Sequence, residues 1–147
     1  EALEASNARW LHIRTSWLYA PWGKNFVRTI RSAAMTRPEL KVVSDQRGRP
    51  TSAEHLARAT LTLIDHGATG HLHVTDGGEC SWHEFATEIR DLARANTPVH
   101  SCTSAEFPRP AKRPAYSVLD IAPAERLLGP MPHWRENLAA VMEKIKD

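Results

Sequence analysis

The chain has 147 residues, 41% of them hydrophobic and 24% charged, with a formal net charge of +2. That length suits one compact domain with a core of its own, and the small, scattered charge argues against nucleic acid as a partner. No apolar stretch approaches a membrane span and no signal-peptide pattern occurs, while Cys80 and Cys102 form neither a C-x-x-C motif nor a disulfide framework, which fits a cytoplasmic protein.

Residues 1–7 read as the last turns of a helix, with Asn7 as its stop. No capping residue precedes Glu1, so the sequence is expected to begin partway along a longer chain. Residues 10–19 then alternate as a strand, with Leu11, Ile13, Thr15 and Trp17 on one face and His12, Arg14 and Ser16 on the other. Residues 20–23 break it. Phe26, Ile30, Ala33 and Ala34 recur at helical spacing until Arg37-Pro38 ends the helix. A second strand spans 41–44, and its loop carries Asp45, Gln46, Arg47 and Arg49, side chains that suit a polar, anionic ligand. Thr51-x-x-Glu54 reads as a capping box that opens a helix over about 52–66. That helix is expected to bury Leu56, Thr60, Leu63 and Ile64 and to close at Gly67.

A third strand covers 71–75, and Asp76-Gly77-Gly78 turns. Ser81-x-x-Glu84 is a second capping box, heading a helix that buries Phe85, Ile89 and Leu92. A short strand is expected at 99–102, an ordered irregular loop at 107–114, and a short helix ending at Gly129. Trp134, Leu138, Val141, Met142 and Ile145 mark an amphipathic terminal helix. Strands alternating with helices of this length give an α/β fold with at least part of the sheet parallel. Three or four strands make a thin sheet, as in half of something larger.

Standard catalytic motifs are missing. There is no G-x-G-x-x-G turn to bring backbone against a pyrophosphate, no P-loop and no nucleophile elbow. His71 and His73 point the same way from one strand, but no third metal ligand is evident, so they read as exposed strand histidines. Ser16 has no base partner in the sequence. Trp134, one of five tryptophans, belongs to the core stripe of its helix.

Several segments together resemble one family. Arg14-Thr-Ser-Trp-Leu-Tyr19, Asn25-Phe26-Val27 and Val42-Val43-x-Asp45-Gln46-x-Gly48-x-Pro50-Thr51 are similar to the dTDP-4-dehydrorhamnose reductases, as are Trp82-x-Glu84-Phe85-Ala86 and residues 103–120, with Arg113-Pro114-x-Tyr116 at their centre. These are extended short-chain dehydrogenases that reduce the 4-keto group of a nucleotide-linked sugar. The resemblance runs in order along nearly the whole chain.

It implies a C-terminal half of a Rossmann-like extended short-chain dehydrogenase: the last strands of the parallel sheet plus a small substrate-binding lobe, one region over 1–147. In the family the glycine fingerprint and a catalytic Tyr-x-x-x-Lys precede the segment matching Glu1. Here Tyr19 is followed four residues on by Gly23, and Tyr116 by Asp120. The expected function is therefore the substrate-binding part of an enzyme that converts dTDP-4-dehydro-6-deoxy-L-mannose to dTDP-L-rhamnose with NADPH or NADH, in rhamnose and cell-surface polysaccharide biosynthesis. By itself the chain is expected to bind no cofactor and to be inactive. Its implied partners are the nucleotide sugar, the N-terminal half of the same fold and, in some settings, a second copy.

By the same resemblance, Thr15 and Ser16 face the nicotinamide, and Trp17 packs on the sugar or the nicotinamide. Asn25 and Phe26 border the diphosphate, Gln46, Arg49 and Pro50 line the deoxythymidine end, and Arg113 pairs with phosphate. Ordinary roles compete with these: Asn25 as a helix cap, Arg14 and Asp45 as partners of each other or of neighbouring residues. Glu54 sits where some members hold an intersubunit magnesium, but its capping position accounts for it, and no metal is expected. The competing class is a non-catalytic binding or regulatory module of the same fold.

Overall fold

The computed structural model describes residues 2–106, 111 and 113–146. Its elements run β1 (Leu11–Arg14), β2 (Leu18–Tyr19), α1 (Phe26–Thr36), β3 (Leu40–Val43), β4 (Arg47–Gly48), β5 (Thr51–Ser52), α2 (Ala53–Asp65), β6 (Gly70–His73), β7 (Cys80–Ser81), α3 (Trp82–Leu92), β8 (Val99–Cys102), α4 (Ala122–Leu128) and α5 (Trp134–Lys144). The strands join in pairs: β1 with β6, β2 with β5 and β3 with β8 are parallel, and β4 with β7 is antiparallel.

Two apolar clusters organise these pieces. In one, Leu72, Val74 and the half-buried Leu11 and Ile13 turn one face of the β1–β6 pair onto Ala59 and Leu63 of α2 and Ala124 of α4. The period of two in the strands and the 59, 63 spacing in the helix bring these residues together. In the other, Phe85, Ala86 and Ile89 of α3 meet Val27, Ile30 and Ala34 of α1, Leu138 and Val141 of α5, and Leu40 and Val42 of β3. Trp134 sits in this cluster, 1% exposed, as its place in the stripe of α5 predicts.

A buried carboxylate ties the two halves together. Asp76 follows β6 and is 0% exposed. Its oxygens accept from the Tyr19 hydroxyl (3.2 Å), the Ser52 amide (3.1 Å) and Asn137 Nδ2 (2.8 Å), and pair with His55 Nδ1 at 2.7 Å. One side chain thus connects β2, the start of α2 and α5. Burial first, then the neighbouring carboxylate, pushes the Tyr19 hydroxyl well above the usual tyrosine range, so it stays a neutral donor.

The structure corrects several expectations. Residues 2–8 form turns and bends rather than the end of a helix. The strand expected over 10–19 breaks after Arg14, because Trp17 takes a left-handed backbone (φ 46) that re-aims its ring. The Thr51–Glu54 capping box does not form: α2 starts from Ser52, without a side-chain cap. Thr51 is drawn into the parallel pair with Leu18, where its hydroxyl donates to the Ser16 carbonyl at 2.7 Å. Glu54 instead meets Arg58 and Lys144. The buried stripe of α2 is His55, Ala59 and Leu63, leaving Ile64 57% exposed. The second capping box, Ser81 with Glu84, is fully made, and Gly67 closes α2 with φ +68. Of the loop expected at 107–114, residues 107–110 and 112 lie outside the described residues.

Candidate functional site

A cavity of about 1530 Å³ opens between the start of α1, the C-terminal end of β3 with the loop after it, and the segments around Ser104 and Arg113. Its position follows from chain direction. β3 and β8 run parallel, so the loops that leave both strands emerge at one edge, where open α/β folds bind ligands.

Asn25 caps α1. Its Oδ1 accepts from the Arg28 amide at 3.2 Å, while Nδ2 donates to the carbonyls of Ala20 (2.9 Å) and Trp22 (3.1 Å). The capping role is therefore realised, and it sets the first turn of α1, with Phe26 and Thr29, along the cavity wall beside Lys24. The amides of that turn add partial positive charge.

Asp45 and Gln46 close the adjoining edge. Asp45 accepts from both the amide and the hydroxyl of Ser104, each at 2.8 Å, and Gln46 Nε2 donates to the same hydroxyl at 2.7 Å. The Ser104 amide, then its hydroxyl, holds the Asp45 carboxyl below the usual carboxylate range. A group lowered on folding stabilises above its unfolded value and loses that contribution as pH falls through the lower one. The Asp45–Ser104 clamp is accordingly expected to hold at neutral pH and to release only below the ordinary Asp value of 3.8. Hydrogen exchange of the Ser104 amide, followed from pH 6 to about pH 2, checks this; protection lost already near pH 5 would contradict it.

The aromatic wall is Trp82, which lines the cavity at the start of α3. Trp17 stacks on it, with centroids 3.6 Å apart and planes 12° apart, and Phe26 lies 4.5 Å away. Trp17 reaches this position because residue 48 is glycine: a Cβ there would stand 2.5 Å from the indole.

The segment carrying Arg113 is fixed beside the cavity by β4. The Arg47 amide donates to the Ala115 carbonyl at 2.8 Å, and the Ser117 amide to the Arg47 carbonyl at 2.9 Å. The Arg47 guanidinium meets Glu79 (3.0 Å) and Glu84 (3.2 Å), and the Tyr116 hydroxyl donates to Glu79 at 2.9 Å. The bond from Tyr116, then that from Arg47, holds the Glu79 carboxyl below its usual range.

The cavity thus gathers Asn25, Phe26, Gln46 and Arg113 from the residues expected to bind substrate. Trp17 touches it through Trp82. Thr15, Ser16, Arg49 and Pro50 lie outside its lining, at the break between β1 and β2. There Thr15 Oγ1 donates to Thr51 Oγ1 (3.2 Å) and Ser16 Oγ to the Arg49 carbonyl (2.7 Å). Arg49 Nε is buried without a hydrogen-bond partner among the described residues. Pro50 is buried, its carbonyl accepting from the Asp76 amide. Sequence reasoning missed Lys24, Lys41 and Trp82 as lining residues. No local pattern marks the two lysines, and the segment headed by Trp82 carries the resemblance without a site role of its own; the three meet only when the start of α1, β3 and α3 converge.

Lys24, Lys41 and Arg113 face a single carboxylate in this lining, Asp45, whose two oxygens Ser104 already engages. The cavity is therefore cationic, with an aromatic wall. On the strand face away from the apolar cluster, His71 Nδ1 lies 2.9 Å from His12 Nδ1 and its Nε2 3.1 Å from Glu4, while His73 contacts the Asp120 carbonyl. Among the described residues no group of three or more potential metal ligands occurs, and among them no helix is long and apolar enough to cross a membrane.

This α/β arrangement of parallel strand pairs with helices packed on them is that of the Rossmann-like extended short-chain dehydrogenases. Residues 1–146 match the family described as the RmlD substrate binding domain, and the chain belongs to that family. It is 43% identical over 132 residues to the spore coat polysaccharide biosynthesis protein SpsK of Bacillus subtilis (strain 168), covering 90% of this chain and 46% of that protein. It is 35% identical over 148 residues to the dTDP-4-dehydrorhamnose reductase of Sinorhizobium fredii, covering 92% and 50%. The crystal structure of dTDP-4-dehydrorhamnose reductase from Bacillus anthracis in complex with NADP superposes with a TM-score of 0.85 at 38% identity, covering 91% of this chain and 48% of that one. The chain spans about half the length of the curated relatives it matches.

Proposed function

We propose that this chain binds the nucleotide-sugar substrate of a dTDP-4-dehydrorhamnose reductase, an enzyme that reduces dTDP-4-dehydro-6-deoxy-L-mannose to dTDP-L-rhamnose with NADPH. The cationic cavity with an aromatic wall carries the reading. A nucleoside diphosphate sugar needs cations and amide donors for its two phosphates and a flat apolar surface for its base. Lys24, Lys41 and Arg113 supply the first and Trp82 with Phe26 the second. In this reading Gln46 serves the base, and the sugar extends toward Trp17 and the strand end at Thr15 and Ser16, where Arg49 offers a further cation.

The residues present do not fit a complete nicotinamide site. The 147 residues contain no glycine fingerprint and no Tyr-x-x-x-Lys, and the hydroxyls of Thr15 and Ser16 are engaged within the chain. In our reading this chain holds and orients the substrate, and a cofactor-binding half supplies the nicotinamide and the acid.

Calorimetric titration of the purified chain with dTDP-L-rhamnose tests this. Saturable binding that weakens with salt is expected, together with no NADPH oxidation when the 4-keto substrate is added. Joined to the cofactor-binding half of a relative, the chain is expected to support that oxidation. Absence of binding at millimolar ligand would overturn the assignment of the cavity, and NADPH oxidation by the chain alone would overturn the division of labour.

A further inference from the structure

We infer that Glu79 is a positioning residue for ligand binding: it holds Arg113 at the cavity edge without touching the ligand, a role that rests on the nucleotide-sugar reading and adds to it what fixes one phosphate contact.

Arg113 makes no hydrogen bond or ion pair among the described residues. Its guanidinium is therefore placed by the backbone that carries it, and that backbone is tied down a short way along. The Arg47 amide donates to the Ala115 carbonyl (2.8 Å), and Ser117 donates to the Arg47 carbonyl from both its amide (2.9 Å) and its hydroxyl (3.0 Å). All of these bonds meet one residue, Arg47, so the backbone by itself leaves the segment able to pivot there.

Tyr116 supplies a second point of attachment. Its hydroxyl donates to Glu79 Oε2 at 2.9 Å, and the other carboxylate oxygen, Oε1, accepts from Arg47 Nε at 3.0 Å. Arg47 Nη1 donates in turn to Glu84 at 3.2 Å, and Glu84 belongs to the capping box that opens α3. Glu79 also stands directly before β7, whose pairing with β4 sets Cys80 opposite Gly48. The contacts thus run from the start of α3 through Arg47 and Glu79 to Tyr116, a few residues from Arg113.

Charge alone predicts the opposite effect. A carboxylate near a site for a diphosphate repels the ligand. Arg47 and Arg49 both act electrostatically on Glu79, so removing it would leave two cations uncompensated and draw an anion in. The cluster is also a small source of fold stability, because Tyr116 is exposed and Arg47 and Glu79 are more than a third exposed, and exposed ion pairs contribute little. Weaker anion binding on removal of an anion, at unchanged stability, is the mark of positioning.

The test is calorimetric titration of the full chain with dTDP, beside urea unfolding of each variant. Glu79→Ala is expected to weaken binding about three- to tenfold, the net size of one hydrogen bond. Tyr116→Phe deletes the same bond and changes no charge; it is expected to give a similar loss, and it carries the comparison if the alanine variant does not fold. Glu79→Gln keeps an accepting oxygen for Tyr116 and is expected to recover most of the affinity. In an Arg113→Gln background, Glu79→Ala is expected to cost less than about twofold, because no guanidinium is left to place. Tighter or unchanged binding in Glu79→Ala would overturn the inference, as would a loss equal in both backgrounds, the sign of a general structural effect. Equal affinities for Glu79→Gln and Glu79→Ala would also overturn it. Wild-type chain that binds no dTDP would remove the nucleotide reading and this role with it, whereas any failure confined to the variants strikes the role of Glu79 alone.

Discussion

Replacing Asp76 with alanine is expected to cost about 3–5 kcal/mol of stability, the range for removing one partner of a buried charged network. The carboxylate is fully buried and makes four contacts, to Tyr19, Ser52, His55 and Asn137. Alanine would strand a buried hydroxyl, an amide and an imidazole together, each with its own desolvation cost. Asp76→Asn keeps the shape but replaces one accepting oxygen by a donor, and a smaller loss of about 1–3 kcal/mol is expected for a single unsatisfied group. Urea unfolding of the two variants beside wild type measures both. An Asp76→Ala midpoint equal to that of wild type would mean that the network adds nothing to the fold. Because Asp76 lies outside the cavity lining, variants folded at low temperature are expected to keep their ligand affinity.

The second large effect is expected at Gly48. Its added Cβ would meet the Trp17 indole at 2.5, 2.6 and 2.8 Å from three ring atoms, far inside van der Waals contact. The ring cannot yield easily, since Trp82 stacks on it and its backbone is already left-handed. Overpacking of this kind costs about 1–3 kcal/mol. The indirect result is the larger one: displacing Trp17 unseats Trp82 and deforms the cavity wall, so Gly48→Ala is expected to lower dTDP affinity at least tenfold. Adding Trp17→Leu removes the obstruction. The double variant is expected to be more stable than the sum of the single changes, a coupling of the kind neighbouring residues show, about 0.5–3 kcal/mol. Strict additivity would show that residue 48 and Trp17 do not contend for one space.

Much of this could be read in the amino-acid order because local chemistry dictated it. Asn25 before an apolar-periodic run, Ser81 three residues ahead of Glu84, and Gly67 and Gly129 after helical stripes each carry their structural reason locally, and each forms as expected. Failures came where a tertiary contact overrode a local signal. Thr51 has the right neighbour for a capping box, yet a parallel pairing with β2 claims its backbone and hydroxyl first. Alternation over 10–19 continues through Trp17, yet the stack with Trp82 bends the chain there. For the cavity, resemblance and chemistry named Asn25, Phe26, Gln46 and Arg113. Lys24, Lys41 and Trp82 came only from the meeting of three elements distant in sequence.

The parallel pairs also govern how the chain reaches its fold. His12 and His71 are cross-strand partners 59 positions apart, and Ser44 bonds to Cys102 across 58. No hairpin can seed either ladder, so each must wait for a long loop to close before its hydrogen bonds offset the lost chain entropy. Helices such as α3, with its own cap, can form early, but β1 and β3 gain their partners only when strands 59 positions further along the chain are in place. The cavity edge built from the ends of β3 and β8 is thus a late product of folding, assembled after the helices that flank it.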